Sequence, residues 1–179
     1  DSYAGPAWMV KEQGKTAEKV PFEVSEKGYK GTHNDVHFSL NYKLKGNVIQ
    51  ITATDENKGN KEFTPETCGL KIGVDNYQER YPTWNELVLR TLLRCEKTHF
   101  WSYCMSPNGK IMGIASPDPV ASWSLDYNPG GISGRFGGKG GHRIYSLNLN
   151  FLNQKPLPSR HPQNLDHLKP GQSKTWTVY

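Results

Sequence analysis

The sequence predicts an all-β protein, a two-sheet antiparallel β-sandwich with little helix. Several segments alternate apolar and polar residues with a period of two, and turn residues separate these segments. The 18 Gly and 12 Pro disfavour long helices, and no repeated strand–helix–strand unit occurs. At 179 residues the chain fits one domain of this class. We therefore assign residues 1–179 to a single β-sandwich domain.

The clearest predicted element is a hairpin in the first third of the chain. Between Val36 and Leu44 every second residue is apolar and the residues between them are polar, which is typical of a half-buried strand. Turn residues follow at 45–47. The return strand then places Ile49 and Ile51 on one face. This face is expected to contribute to the core.

Further strands follow from the same pattern. Residues 98–105 are rich in aromatic and β-forming residues, an Asn-Gly turn follows, and residues 111–115 form the return strand. Alternation at 145–151 predicts another strand, and 174–179 is the predicted closing strand. Residues 84–94 allow either a short helix or a strand, because the apolar run is too short to decide.

A long glycine-rich segment, residues 130–141, contains Arg135 and Lys139. A P-loop requires Ser or Thr after its lysine, whereas Gly140 follows Lys139. A surface loop is therefore the favoured interpretation. Loops of this length often have functions, so the segment is a candidate for folding over a neighbouring site.

The net charge, the apolar runs and the chain ends give three further expectations. The net charge is +5, but the basic residues are scattered, so a nucleic-acid partner is not favoured. No run approaches the roughly 20 apolar residues of a membrane span. The chain begins at Asp1 without Met and ends in a β-rich run at Tyr179. We therefore expect a domain excised from a larger multidomain protein.

The cysteine and histidine patterns predict no metal or cofactor site. Cys68, Cys95 and Cys104 form no CxxC pair, and the six His show no ligand spacing. Cys95 and Cys104 are expected to be buried thiols, and a disulfide between them would require a turn that brings the two together. GxSxG is absent, so nucleophilic catalysis is not indicated.

The segment 96–101 is the densest in polar and aromatic residues. A glutamate and a histidine can act as a general acid/base pair on a sugar, so Glu96 and His99 are the candidate catalytic residues. In one continuous strand, however, alternation would place Glu96 on one face and His99 on the other. We expect that separation, which argues against the pair.

Aromatic side chains suggest a sugar-binding surface. Sugar rings stack on flat aromatic faces, while Asp, Arg and His bind the hydroxyl groups. The candidate carbohydrate-binding residues are Trp101, Trp123, Asp118, Arg135 and His142. The alternative is that the tryptophans fill the sandwich core.

Several segments of the sequence resemble those of a known family. Residues 35–59, DVHFSLNYKLKGNVIQITATDENKG, and residues 168–179, LKPGQSKTWTVY, are similar to the galactose-mutarotase-like supersandwich domains of bacterial glycoside hydrolases and polysaccharide lyases. Residues 94–101 and 116–123 also look like such sequences. In those enzymes an (α/α) toroid follows the sandwich and generally carries the catalytic acids.

The resemblance implies a non-catalytic module of a secreted, periplasmic or cell-surface bacterial enzyme. Its partners would be the C-terminal catalytic domain of the same chain and a polysaccharide or oligosaccharide. Two alternatives stay open, a free-standing carbohydrate-binding module and an enzyme in its own right, mutarotase-like, epimerase-like or lyase. No local motif matches that of the mutarotases, so no catalytic role is transferred.

Overall fold

The computed structural model describes residues 6–26, 28–78, 91–96, 99–105, 111–127, 141–154 and 165–179. Throughout these ranges the regular elements are β-strands, and their pairings are antiparallel, which confirms the predicted all-β class. In chain order the strands are β1 (Ala7–Lys11), β2 (Glu18–Lys19), β3 (Phe22–Ser25), β4 (Gly28–His33), β5 (Val36–Lys45), β6 (Val48–Asn57), β7 (Thr67–Gln78), β8 (Thr91–Glu96), β9 (His99–Met105), β10 (Ile111–Ser116), β11 (Ser122–Tyr127), β12 (Gly141–Asn153) and β13 (Ser173–Val178). Among these same residues, no helix is long and apolar enough to cross a membrane.

Two five-stranded sheets form the two layers of the sandwich. Sheet 1 has the order β11-β12-β7-β1-β2, and sheet 2 has the order β13-β6-β5-β4-β3. Aromatic rings join them: Trp8 of sheet 1 lies 6.5 Å from Phe38 and 6.4 Å from Trp176 of sheet 2, measured between ring centroids. Phe151 of sheet 1 stacks on Trp8 at 5.7 Å. Face-to-face packing of two antiparallel sheets is the predicted sandwich.

A third sheet, with the order β10-β9-β8, continues sheet 2 beyond its β13 edge. Ala115 of β10 and Tyr179 exchange two backbone hydrogen bonds of 2.9 and 2.8 Å. Asp118 strengthens the same junction, because its Oδ2 accepts a hydrogen bond of 2.5 Å from the backbone N–H of Thr177. The last strand, β13, therefore pairs with β6 on one side, and Tyr179, which follows it, pairs with β10 on the other side.

The predicted hairpins are confirmed as β5–β6 and β9–β10, and the predicted strand at 145–151 lies inside β12. The predicted closing strand is β13. In the ambiguous segment 84–94, residues 91–94 belong to strand β8, and the rest lies outside the described residues. The glycine-rich segment also lies outside them, apart from Gly141 at the start of β12.

The register between β8 and β9 excludes a Cys95–Cys104 disulfide. Cys95 pairs with Phe100, whereas Cys104 pairs with Thr91. The two cysteines are thus four positions apart along the ladder, or about 13 Å at the rise of a strand. A disulfide requires Cα atoms less than about 7 Å apart. Cys68, on β7, is a buried free thiol.

Candidate functional site

The candidate catalytic residues lie opposite each other in the β8–β9 ladder. Strand β8 ends at Glu96, strand β9 begins at His99, and the two residues are direct register partners. Residues that oppose each other in an antiparallel pair share one face of the sheet. The expected separation onto opposite faces was therefore wrong, because it assumed one continuous strand where the chain reverses direction.

Three of the predicted sugar-binding residues, Trp101, Trp123 and Asp118, have described side chains. Trp101, on β9 of sheet 3, is 37% exposed. Trp123, on β11 of sheet 1, is half-buried, and its ring lies 5.7 Å from that of the buried Phe100. Asp118 holds the backbone of β13. Each of these three side chains thus has a different structural setting.

Two further predicted residues have no described side chain. Arg135 lies outside the described residues, and His142 lies in β12, opposite Tyr77 of β7. Their proposed roles in sugar binding stay predictions. In the part of the chain that the structure describes, no group of three or more His, Cys, Asp or Glu side chains is placed to hold a metal ion.

A polar groove of about 500 Å³ crosses the outer face of sheet 2, the face turned away from sheet 1. Its side chains come from neighbouring strands whose register aligns them in two rows across the sheet. The first row is Glu23, Lys30, Ser39 and Thr54. The second row is Thr32, His37 and Glu56. We call this surface the sheet 2 groove.

The charges of the sheet 2 groove balance one another. Lys58 at its end forms an ion pair of 2.8 Å with Glu56. Lys30 and Glu23 are direct cross-strand partners on β4 and β3. Apart from His37, the groove therefore combines two cations with two anions, and the rest of its polar side chains are hydroxyl groups. Such a lining donates and accepts hydrogen bonds without a strong net field.

The opposite face of sheet 2 is apolar, and part of it is exposed to solvent. Phe38 and Leu40 are buried against sheet 1, but farther along the same face of β5, Leu44 is 72% exposed. Its register partner on β6, Ile49, is 57% exposed. Tyr42 also belongs to this exposed part. Sheet 2 thus extends beyond the region that sheet 1 covers.

Register places two more exposed apolar side chains beside these three. Tyr29 of β4 lies opposite Leu40, and Val24 of β3 lies opposite Tyr29. The rings of Tyr29 and Tyr42 meet edge to face at 5.5 Å, and burial is the main cause that raises the pKa of Tyr42. We call the set the exposed apolar face. It consists of Val24, Tyr29, Tyr42, Leu44 and Ile49.

A buried polar contact lies between the two sheets. Asp55 of β6 is 1% exposed, and its Oδ2 accepts a hydrogen bond of 3.6 Å from the thiol of Cys68 on β7. Burial raises the pKa of Asp55 well above its ordinary value of 3.8, while the side chains of Cys68 and Trp8 oppose that shift. Burial also raises the pKa of the Cys68 thiol. Both groups therefore favour their neutral forms, which suits a structural contact rather than an exposed reactive site.

These features define the class of the chain as a two-sheet antiparallel β-sandwich module. A solved structure of a polysaccharide lyase has a similar fold: it aligns with 99% of this chain at a TM-score of 0.56 and 14% sequence identity. The chain spans 25% of the length of that lyase. No protein-family model and no curated protein matches the sequence. At this identity the likeness establishes the fold, which is like that of part of a carbohydrate-active enzyme.

Proposed function

We propose that this chain is a non-catalytic β-sandwich module of a secreted carbohydrate-active enzyme, either a polysaccharide lyase or a glycoside hydrolase. The supporting observation is the structural likeness, in which almost the whole chain corresponds to a quarter of a polysaccharide lyase. The sequence resemblance to galactose-mutarotase-like supersandwich domains agrees with this assignment. The proposed role is to brace a catalytic domain of the same parent protein.

The exposed apolar face is the proposed docking surface for that catalytic domain. Contiguous apolar patches on soluble proteins mark interaction sites, because leaving such a surface in water is unfavourable. Here the patch lies on regular, paired strands, so it is a firm surface for a neighbouring domain. The polysaccharide lyase with the similar fold is about four times as long as the aligned part, so it contains further chain beyond that part.

Charging the exposed apolar face is expected to uncouple the module from the catalytic domain. In the intact parent protein, Leu44→Asp with Ile49→Asp would place two carboxylates in the contact, at a cost of about 3 kcal/mol or more. We expect one cooperative thermal transition to split into two, with a severalfold loss of polysaccharide-degrading activity. Differential scanning calorimetry and a reducing-sugar or unsaturated-product assay measure the two effects.

Asn41→Asp is the matched control, since it adds a carboxylate to the outer face of the same strand, where Asn41 is exposed. It should leave both the single transition and the activity unchanged. The bracing role would be refuted if the two apolar-face substitutions behaved like this control. A parent protein without a carbohydrate-active domain would refute the function as a whole.

One observation favours a second candidate, an enzyme acting through Glu96 and His99, because these residues are paired directly across two strands. The main proposal expects the purified 179-residue chain neither to cleave a polysaccharide nor to interconvert sugar anomers or epimers. If the purified chain has such an activity, and both Glu96→Gln and His99→Ala abolish it, the result would support the enzyme and contradict the non-catalytic module.

A further inference from the structure

We infer that the sheet 2 groove binds an uncharged oligosaccharide. This inference rests on the proposed function for the general class of ligand, and on the groove itself for the position of the site and the charge of the sugar. The site differs from the predicted tryptophan-containing surface, since the groove lies on β3 to β6 and contains none of Trp101, Trp123 or Asp118.

The dimensions of the groove suit an extended chain of sugars. Its first row runs across four neighbouring strands, β3, β4, β5 and β6, and its second row across the last three of them. At the usual spacing of hydrogen-bonded strands this is about 14 Å. The cavity of about 500 Å³ falls within the range of small-molecule sites, which is roughly 300 to 1,000 Å³. A short oligosaccharide lying across the strands would therefore contact both rows.

The groove offers the hydrogen-bonding groups that sugar hydroxyls need. Each sugar hydroxyl both donates and accepts, so a binding surface must offer donors and acceptors in alternation. Lys30 donates, Glu23 accepts, and the hydroxyls of Thr32, Ser39 and Thr54 do either. These groups lie on paired strands with a continuous register, so their backbone positions are fixed before binding.

The balance of charge argues against a polyanionic occupant. Nucleic acids and acidic polysaccharides bind through several uncompensated Lys or Arg side chains. In the groove, Lys58 is already paired with Glu56 at 2.8 Å, and Lys30 lies opposite Glu23. An anionic ligand bound to this surface would lie near the carboxylates of Glu23 and Glu56. An uncharged sugar avoids that repulsion and still uses the same polar groups as hydrogen-bond partners.

The lining also predicts how tightly the groove binds. Phe38 is its only aromatic residue among those described, and that side chain is buried in the core. Ring stacking therefore contributes little, and hydrogen bonds exchanged with water give modest affinity. We expect millimolar dissociation constants, for which titration by NMR is the suitable method.

The test is a titration of the ¹⁵N-labelled 179-residue chain with cellohexaose, xylohexaose and mannohexaose, and separately with an oligogalacturonate as the acidic sugar. We expect at least one uncharged hexasaccharide to shift amide resonances of residues 30–39 and 54–58. Lys30→Ala combined with His37→Ala should weaken this binding about tenfold or more, because two side chains of the groove are removed. Lys43→Ala, which removes an exposed lysine from the same face of β5 outside the groove, should leave it unchanged.

Three results would overturn the inference: no shift in the groove with any uncharged sugar, binding of the oligogalacturonate alone, or equal affinity in the double variant and the wild type. These outcomes do not bear on the bracing role, which is tested by the substitutions at Leu44 and Ile49 on the other face of the sheet. Groove binding in a chain whose parent protein has no catalytic domain would support the site and refute the bracing role.

Discussion

Gly69→Ala is expected to destabilise the fold by about 4 kcal/mol or more, near the upper end of single substitutions. Gly69 lies in β7, at the centre of sheet 1 between β12 and β1. A Cβ atom at this position would lie 1.9 Å from the carbonyl oxygen of Leu149 and 2.9 Å from the Cα of Asn150. Both are backbone atoms of β12, so no side-chain rotation relieves the clash. The ladder between β7 and β12 would have to separate locally.

Gly113→Ala is the matched control for this prediction. Gly113 is also a strand glycine, in β10, but the carbonyl oxygen of Ser102 would be 3.7 Å from an added Cβ, which is ordinary contact distance. The expected change is within about 1 kcal/mol in either direction. Urea unfolding followed by tryptophan fluorescence gives both free energies. Equal stability of the two variants would contradict the close approach of β7 and β12, whereas a Gly69→Ala chain that fails to fold would agree with it.

Alternation in the sequence predicted the strands better than it predicted their burial. In the β5–β6 hairpin, the face that alternation predicted to be apolar is the one that packs into the core, where Phe38 and Leu40 are buried. The same pattern continues to Leu44, which is exposed. Period two shows which residues share a face, but the extent of the covering sheet depends on distant strands. For the same reason, a glycine such as Gly69 indicates a close backbone approach without identifying the approaching strand.

The sheet 2 groove was only partly predictable. The polar face of β5 follows from alternation at His37 and Ser39. Strands β3 and β4 were not predicted, so alternation alone could not place Glu23 and Lys30 beside those residues. Pairing between strands is a tertiary property, and it decides which side chains form a row. The pairing of Glu96 with His99 was missed for a related reason, since a reversal between them changes which positions share a face.

The buried carboxyl group of Asp55 gives the second large effect, a decrease in stability with rising pH. In the unfolded chain this group ionises near its ordinary pKa of 3.8, whereas burial raises its pKa well above that value in the folded protein. Between these two values the unfolded state has lost a proton that the folded state retains. Stability therefore falls as pH rises, by about 1.4 kcal/mol per pH unit, until the pH reaches the folded pKa.

Asp55→Asn is expected to remove this decrease, because an amide of nearly the same shape has no proton to lose in that range. The difference between the free energy of unfolding of the variant and that of the wild type should increase from about pH 4 upward, by about 1.4 kcal/mol per unit. Below about pH 3 the folded and unfolded wild-type chains both hold the proton, so the difference there gives the effect of the amide alone. Urea titrations at half-unit intervals from about pH 2.5 to pH 8 measure the two curves. Curves separated by a constant amount would show that Asp55 ionises alike in both states, which is incompatible with its burial between the two sheets.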